Sequence, residues 1–456
     1  MISSCLLSKL LLPLLLLSSV SNTALGSVMY NLGASVEKTL EMVVTANPLA
    51  TEAGERILQA GGSAADAMVA IQAVLGLVEP ESSGIGGGAF VVYYDAESGK
   101  LTTFDGRETA PASATPDLFV NMTFPSAWQS GLSVGVPGVP RLLETVHQKY
   151  GTLPWNQDLF QDAIDLATEG YEMTAKTAGI VNALLGFNAQ FGFDCENRFL
   201  WRDQTAFEYF VSVTVDSENS TTCSAVPAGT LMTNIPYAET LQLLSTEGGV
   251  DTFFYKGSIA KAIATAVQND PSIPGDLTVD DISEYKVIER PPVCLQNYKG
   301  NKQVCGMGPP SSGGLAVGQI LGILDNFNDG YNYTDTNATI NDDPLGVDAV
   351  HYFSQAMRLA FADRNQYVGD SDFVTVPSEG MLDLEYLAER ATLIGEMDMG
   401  IVDAGIPPGV DTSTRSGADT RSKTTGTSHI SIIDRCGNAL SMTTTGKQYS
   451  LLSNCW

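Results

Sequence analysis

Two alternating strands joined by a three-residue loop constrain this chain more than any other feature. Thr427-Ser-His-Ile-Ser-Ile-Ile-Asp434 and Asn438-Ala-Leu-Ser-Met-Thr-Thr-Thr445 alternate polar and apolar side chains with the period of a strand, and Arg435-Cys-Gly437 separates them. A loop whose third residue is glycine suits a type I turn with a G1 bulge, because that residue must take a left-handed conformation. If the turn sets Asp434 opposite Asn438, the register sets Thr427 opposite Thr445. Upstream, residues 405–426 are rich in Gly, Pro, Ser, Thr and Asp and read as a mobile surface linker. The linker thus delivers a threonine to the first position of a strand, with a second hydroxyl across from it.

The N-terminal part reads as helix, helix, glycine loop, hairpin. Thr51–Ala60 is a helical pattern closed by Gly61-Gly62, and Ser63-Ala-Ala-Asp66 opens the next helix with a capping box, running to about Leu77. Gly84-Ile-Gly-Gly-Gly88 then leads into Ala89–Tyr94, a turn around Ser98-Gly99, and Leu101–Phe104. Helical patterns follow at Arg141–Tyr150, Asp158–Ala167, Ser258–Val267, Gly314–Asp325 and Val347–Ala362, so an α/β domain with helices layered on sheet is expected.

A hydroxyl nucleophile needs a base. With only His147, His351 and His429 in the chain, a Ser-His-Asp solution is hard to assemble. An N-terminal threonine supplies its own. A cut between Gly426 and Thr427 would place an α-amine, of reference pKa about 8, beside Oγ, and Thr445 would hydrogen-bond that amine. Glycine before the nucleophile tolerates the backbone angles that such a cut demands.

Other motifs point to structure. Gly84-Ile-Gly86-Gly-Gly-Ala89 fits a dinucleotide fingerprint in letters only, since it precedes a strand where that fingerprint opens a helix; it reads as a close-packing loop. The serines of Pro309-Pro-Ser-Ser-Gly-Gly314 are placed to cap a helix. His429 lies on the Thr427 face of its strand and is expected to make a structural hydrogen bond. Gly131-Leu-Ser133-Val-Gly135 matches a serine-esterase elbow but lacks the strand before it and the helix after it. A catalytically silent binding protein is the remaining alternative.

Charge and compartment narrow the classes further. With 24 Lys+Arg against 52 Asp+Glu, the net charge of −28 excludes a general nucleic-acid binder. Neither His-Glu-x-x-His nor Cys-x-x-Cys occurs, so a metal-centred mechanism is not expected, and no organic cofactor is implied. Residues 1–26, with Lys9, the run Leu10–Leu17 and Ala24-Leu25-Gly26, read as a secretory signal cut before Ser27, the alternative being a retained anchor. Sequons at Asn121, Asn219, Asn332 and Asn337 agree with that route, to an extracellular, cell-surface or vacuolar site. In that oxidising setting Cys294 and Cys305 would face each other across a hairpin turning at Asn297–Asn301, and Cys195 with Cys223 is a second candidate pair; buried free thiols are the alternative.

Six stretches recur in an order and spacing that carry a resemblance: Gly61-Gly-Ser-Ala-Ala-Asp66, Gly84-Ile-Gly-Gly-Gly88, Phe104-Asp-Gly-Arg-Glu-Thr-Ala-Pro111, Pro309-Pro-Ser-Ser-Gly-Gly314, Phe361-Ala-Asp-Arg364 and Gly426-Thr-Ser-His-Ile-Ser431. From about Met42 to Thr445 the chain resembles the γ-glutamyltransferase (glutathione hydrolase) family. The resemblance implies an N-terminal-nucleophile hydrolase, an α/β four-layer αββα sandwich that is incomplete in this chain. It implies a precursor that cuts itself at Gly426-Thr427 into large (27–426) and small (from 427) subunits, which stay together as a heterodimer. Thr427 would be the nucleophile, Thr445 the support of its amine, and Arg107 the fork that holds the substrate α-carboxylate. Substrates would be glutathione and other γ-glutamyl compounds, with water, amino acids or dipeptides as acceptors; an amide acylase or capsule-processing activity is the alternative within the fold. After Thr445 the pattern is lost: Lys447 stands where the family has asparagine. The 456 residues are therefore expected to leave the nucleophile hairpin at an exposed sheet edge and helix faces uncovered, and so to fold poorly and stay unprocessed.

Overall fold

The computed structural model describes residues 41–128, 130–190, 192–198, 203–327, 346–410 and 426–446. The signal segment, Asn332, Asn337, linker residues 411–425 and the chain after Gly446 lie outside the described residues. The elements that build the site are β1 (Met42–Val44), α1 (Pro48–Gln59), α2 (Ala64–Val78), β2 (Gly88–Asp95), β3 (Lys100–Gly106), α3 (Val139–Tyr150), β4 (Ile288–Arg290), β5 (Val293–Tyr298), β6 (Lys302–Gly306), α4 (Gly313–Asp325), α5 (Val347–Tyr367), α6 (Leu384–Ala391), β7 (Ser428–Ile433) and β8 (Ala439–Thr445). Between α3 and β4 run further helices and two small two-stranded sheets.

Six strands form the main sheet in the order β1-β7-β8-β2-β3-β4, antiparallel throughout. The hairpin β7–β8 is therefore interior, with β1 beside β7 and β2 beside β8. This corrects the expectation of an exposed edge. The neighbours come from residues 42–44 and 88–95, hundreds of positions away, and no local pattern announces that pairing. Val317 on α4 and Val350 and Phe353 on α5 are about half exposed.

One face of the sheet is the core. Ser428, Ile430 and Ile432 of β7, Leu440, Met442 and Thr444 of β8, Ala89, Val91 and Tyr93 of β2, and Phe104 of β3 are all buried on it. The helices α1, α2 and α3 cover that face. Every residue of α2 is buried, as an alanine-rich helix that is apolar all round must be. Its start is the expected capping box, with Ser63 Oγ accepting from the Asp66 N–H and the Asp66 carboxylate accepting from the Ser63 N–H. Small residues set the helix spacing: a Cβ on Gly54 of α1 would fall 2.6 Å from the Ile71 side chain of α2. Tyr150 at the end of α3 stacks on Tyr93 with ring centroids 3.9 Å apart.

The turn between β7 and β8 has the expected chemistry. Gly437 sits at φ +81°, and the Asp434 N–H donates to the Asn438 carbonyl at 3.0 Å. The Asp434 carboxylate also accepts from the Ala64 N–H at the start of α2 and so ties the hairpin tip to the core helix. A second layer pairs β5 with β6 against α4, and Leu295, Ile320, Ile323, Leu359 and Leu387 form its apolar cluster with α5 and α6. Cys294 and Cys305 oppose each other in β5–β6 and are joined by a disulfide, as are Cys195 and Cys223.

The start of the linker is not loose. Gly405 donates its N–H to the buried Asp363 carboxylate at 2.8 Å and accepts from the Tyr367 hydroxyl, so the first residue of the segment is anchored to the α5–α6 body. Asp363 is a node that also takes hydrogen bonds from Gln319, Tyr386 and Arg390. Composition alone cannot reveal such a long-range anchor.

Candidate active site

The register of four neighbouring strands makes one row of the site. Ser428 pairs with Thr444, Thr445 with Gly88, and Ala89 with Gly106, so one further step places Thr427, Thr445, Gly88 and Arg107 side by side across β7, β8, β2 and β3. Side-chain alternation puts all four on the face opposite the core. Thr427 and Arg107 are both exposed there. Three strand spacings separate them, about 14 Å between Cα atoms. The Arg107 guanidinium leans over the Phe90 ring, 6.0 Å from its centroid, which keeps its charge on the open face.

The Thr445 hydroxyl lies 2.8 Å from the Gly426 carbonyl oxygen and 2.9 Å from that of Gly446. The expected partner was the Thr427 amine, which does not exist while the chain is uncut. Here this hydroxyl instead donates to the Gly426 carbonyl, that of the peptide bond at which the cut is expected. A donor aimed at that oxygen is placed to stabilise negative charge developing on it in any nucleophilic addition to that carbonyl.

The glycine loop before β2 is a packing device, because there is no space for side chains on it. A Cβ on Gly87 would stand 1.9 Å from the Thr445 carbonyl oxygen, and one on Gly88 would stand 2.9 Å from the Arg107 Cα. The Gly87 carbonyl in turn accepts from the N–H groups of Gly138 and Val139 at the start of α3. Backbone contact on both sides therefore fixes Thr445 and Arg107 relative to each other.

His429 faces Thr443 across the hairpin and bonds its hydroxyl through Nδ1 at 2.9 Å, while Nε2 meets the Ser441 hydroxyl at 3.1 Å. Partial desolvation holds its pKa below the ordinary histidine value, so the ring is neutral at neutral pH. Both nitrogens are engaged in clamping β7 to β8. Ser133 carries no elbow: Gly131–Ser133 is a 3-10 turn, and its hydroxyl lies 3.0 Å from each of the Trp128 and Ser130 carbonyls. At the start of α4, Ser312 occupies the cap position without making a cap hydrogen bond; Ser311 Oγ accepts from the Gly313 N–H at 3.3 Å in its place. Asn121 and Asn219 are exposed. Among the described residues no cluster of His, Cys, Asp or Glu could hold a metal ion.

Sequence reasoning did not find the groups that hold the Arg107 backbone. Its N–H donates to the Asp105 carboxylate at 3.0 Å, and its carbonyl accepts from the Tyr285 hydroxyl at 2.8 Å. Asp105 stood inside a recognised motif, but its role becomes visible only when β4 is placed beside β3.

A threonine opening a central antiparallel strand, after a glycine whose carbonyl is held by a neighbouring hydroxyl, under a helix-backed sheet, defines the N-terminal-nucleophile hydrolase class. The gamma-glutamyltranspeptidase family model matches residues 50–450, and the chain belongs to that family. It is 33% identical over 420 residues to the glutathione hydrolase proenzyme of Bacillus subtilis strain 168, covering 89% of this chain and 64% of that protein. With glutathione hydrolase 3 of Arabidopsis thaliana the identity is 30% over 414 residues, covering 90% of this chain and 57% of the relative. Among solved structures, the Helicobacter pylori gamma-glutamyltranspeptidase superposes with a TM-score of 0.63 at 28% identity, over 87% of this chain and 96% of that one. The cephalosporin acylase of Bacillus halodurans superposes with a TM-score of 0.69 at 27% identity, over 89% of this chain and 66% of that one. The chain thus spans about 64% of the length of the first of these curated relatives.

Proposed function

We propose that this chain is the precursor of a γ-glutamyl acyl-transfer enzyme in which Thr427 performs first self-cleavage and then turnover. The observation that carries the reading is the Thr445 hydroxyl 2.8 Å from the Gly426 carbonyl oxygen, with Arg107 in the same row on the same open face. Thr427 Oγ loses its proton and attacks the Gly426 carbonyl carbon. The C–N bond breaks as nitrogen takes a proton, leaving Gly426 esterified to Oγ. Water hydrolyses the ester into a Gly426 carboxylate and the Thr427 hydroxyl, beside the amine that the acyl shift has freed. The two products remain associated through the strands that flank the hairpin.

That amine is the base for turnover. Thr427 Oγ attacks the γ-carbonyl of glutathione or a related compound while Arg107 holds the α-carboxylate, the leaving amine departs with a proton, and a γ-glutamyl ester remains on Oγ. Water, an amino acid or a dipeptide then takes the acyl group. A guanidinium fork matches a carboxylate in two parallel hydrogen bonds, whereas an ammonium is a point charge.

Release of p-nitroaniline from γ-glutamyl-p-nitroanilide tests the reading on the protein expressed from its own transcript, and absence of release would sink it. Arg107→Lys is expected to raise the KM for that substrate about tenfold while self-cleavage proceeds normally. An unchanged KM would remove Arg107 from the carboxylate site. Likeness to a cephalosporin acylase makes a panel of other amides the control for substrate class.

The secretory route is part of the proposal, supported by the pattern of residues 1–26, the sequons and the two disulfides. Treatment of the purified protein with an N-glycosidase is expected to lower its mass at Asn121 and Asn219. An unshifted mass would count against passage through that route.

A further inference from the structure

Arg107 and Asp105 lie two residues apart, on one face of the β3 edge, so their side chains are neighbours. A carboxylate there is a natural ion-pair partner for Arg107 and a direct competitor of a substrate carboxylate. Yet Arg107 makes no ion pair among the described residues. Both oxygens of Asp105 are already engaged. Its Oδ1 accepts the Arg107 N–H at 3.0 Å and its Oδ2 accepts Arg290 Nε at 2.7 Å.

Arg290, on the adjacent strand β4, is itself fixed. Its two terminal nitrogens donate to Asp372 Oδ1 at 2.9 Å and Oδ2 at 2.7 Å, a bidentate fork, and its carbonyl accepts from the Thr103 hydroxyl at 2.6 Å. Asp372 belongs to a turn after α5 held by its own bonds: its N–H donates to the Asp370 carboxylate, and the Phe373 and Val374 N–H groups donate to the Asp370 carbonyl. Asp105 and the Arg290 side chain are nearly buried, so the pair is weakly screened.

We propose that Arg290 and Asp372 are positioning residues whose task is to keep the Asp105 carboxylate occupied, so that the Arg107 guanidinium stays available to the α-carboxylate of a γ-glutamyl substrate. The inference rests on reading Arg107 as the carboxylate fork. Without Arg290, the charge of Asp105 is left to its neighbour two residues on, Arg107, and substrate must displace it. The device acts on binding and leaves the Thr427–Thr445 row untouched.

Arg290→Gln in the full-length protein is therefore expected to raise the KM for γ-glutamyl-p-nitroanilide about tenfold, with kcat and self-cleavage within about twofold of the parent. Adding Asp105→Asn, which keeps an acceptor for the Arg107 N–H and removes the competing charge, is expected to restore most of the lost affinity. Asp372→Asn, at a more exposed position, is expected to give a smaller rise of the same kind, and it decides the matter if Arg290→Gln does not fold. An unchanged KM in these variants, a parallel fall of kcat and self-cleavage, or a further loss in the Asp105→Asn double variant would each overturn the inference. A parent that neither binds nor turns over γ-glutamyl compounds would overturn the reading of Arg107 and this inference with it, which separates that failure from the others.

Discussion

The Thr427→Ala variant is expected to remain one uncut chain and to turn over no γ-glutamyl substrate. Both proposed reactions begin with attack by the same oxygen, and alanine supplies none. Neutral groups around it cannot substitute: His429 is engaged by Thr443 and Ser441, and Ser428, the next hydroxyl along the strand, points into the core on the opposite face. Losing a covalent nucleophile costs on the order of 10⁴-fold or more. Thr427→Ser keeps the oxygen and loses only the methyl that restricts χ1, so it should cut more slowly and still finish. Gel analysis and intact mass measure the cut, and p-nitroaniline release measures turnover. Cleavage between residues 426 and 427 in the alanine variant would show that another group attacks that bond.

The second large effect is expected at Thr445. Valine is nearly isosteric with threonine but cannot donate to the Gly426 carbonyl, which the Thr445 hydroxyl approaches at 2.8 Å. Removal of one donor from a developing oxyanion costs about 10²–10³-fold in rate. Thr445→Val should therefore accumulate uncut precursor of normal thermal stability, whereas Thr445→Ser should process at close to the parental rate. A time course of processing after synthesis reads the difference. Equal rates for the valine variant and the parent would mean that this hydrogen bond does not act in the cleavage step.

Parts of this site were legible without coordinates because short-range chemistry dictates them. Gly437 and the Asp434–Asn438 pair fix the hairpin turn, and a fixed turn with period-two alternation leaves one register, which sets Thr427 against Thr445. Ser63 and Asp66 close a capping box by local geometry, and the alanines that follow carry no charge to keep α2 at the surface. The helices at Ser258–Gln268 and Gly313–Asp325 lie within a residue of their periodic patterns for the same reason.

What the sequence determined by itself is thus the hairpin, its turn, the register that sets Thr427 against Thr445, and the family resemblance. Each depends on residues near one another in the chain. Only the tertiary structure decided that β1 and β2 flank the hairpin, that Gly87 must be glycine because the Thr445 carbonyl lies against it, and that Gly405 is anchored to Asp363. It also decided which of the charged residues around Arg107 leave that guanidinium unpaired. The physical reason is common to all of these. Strand pairing, close backbone approach and buried charge compensation join segments separated by tens to hundreds of residues, and their energies depend on distances that no local pattern of side chains encodes.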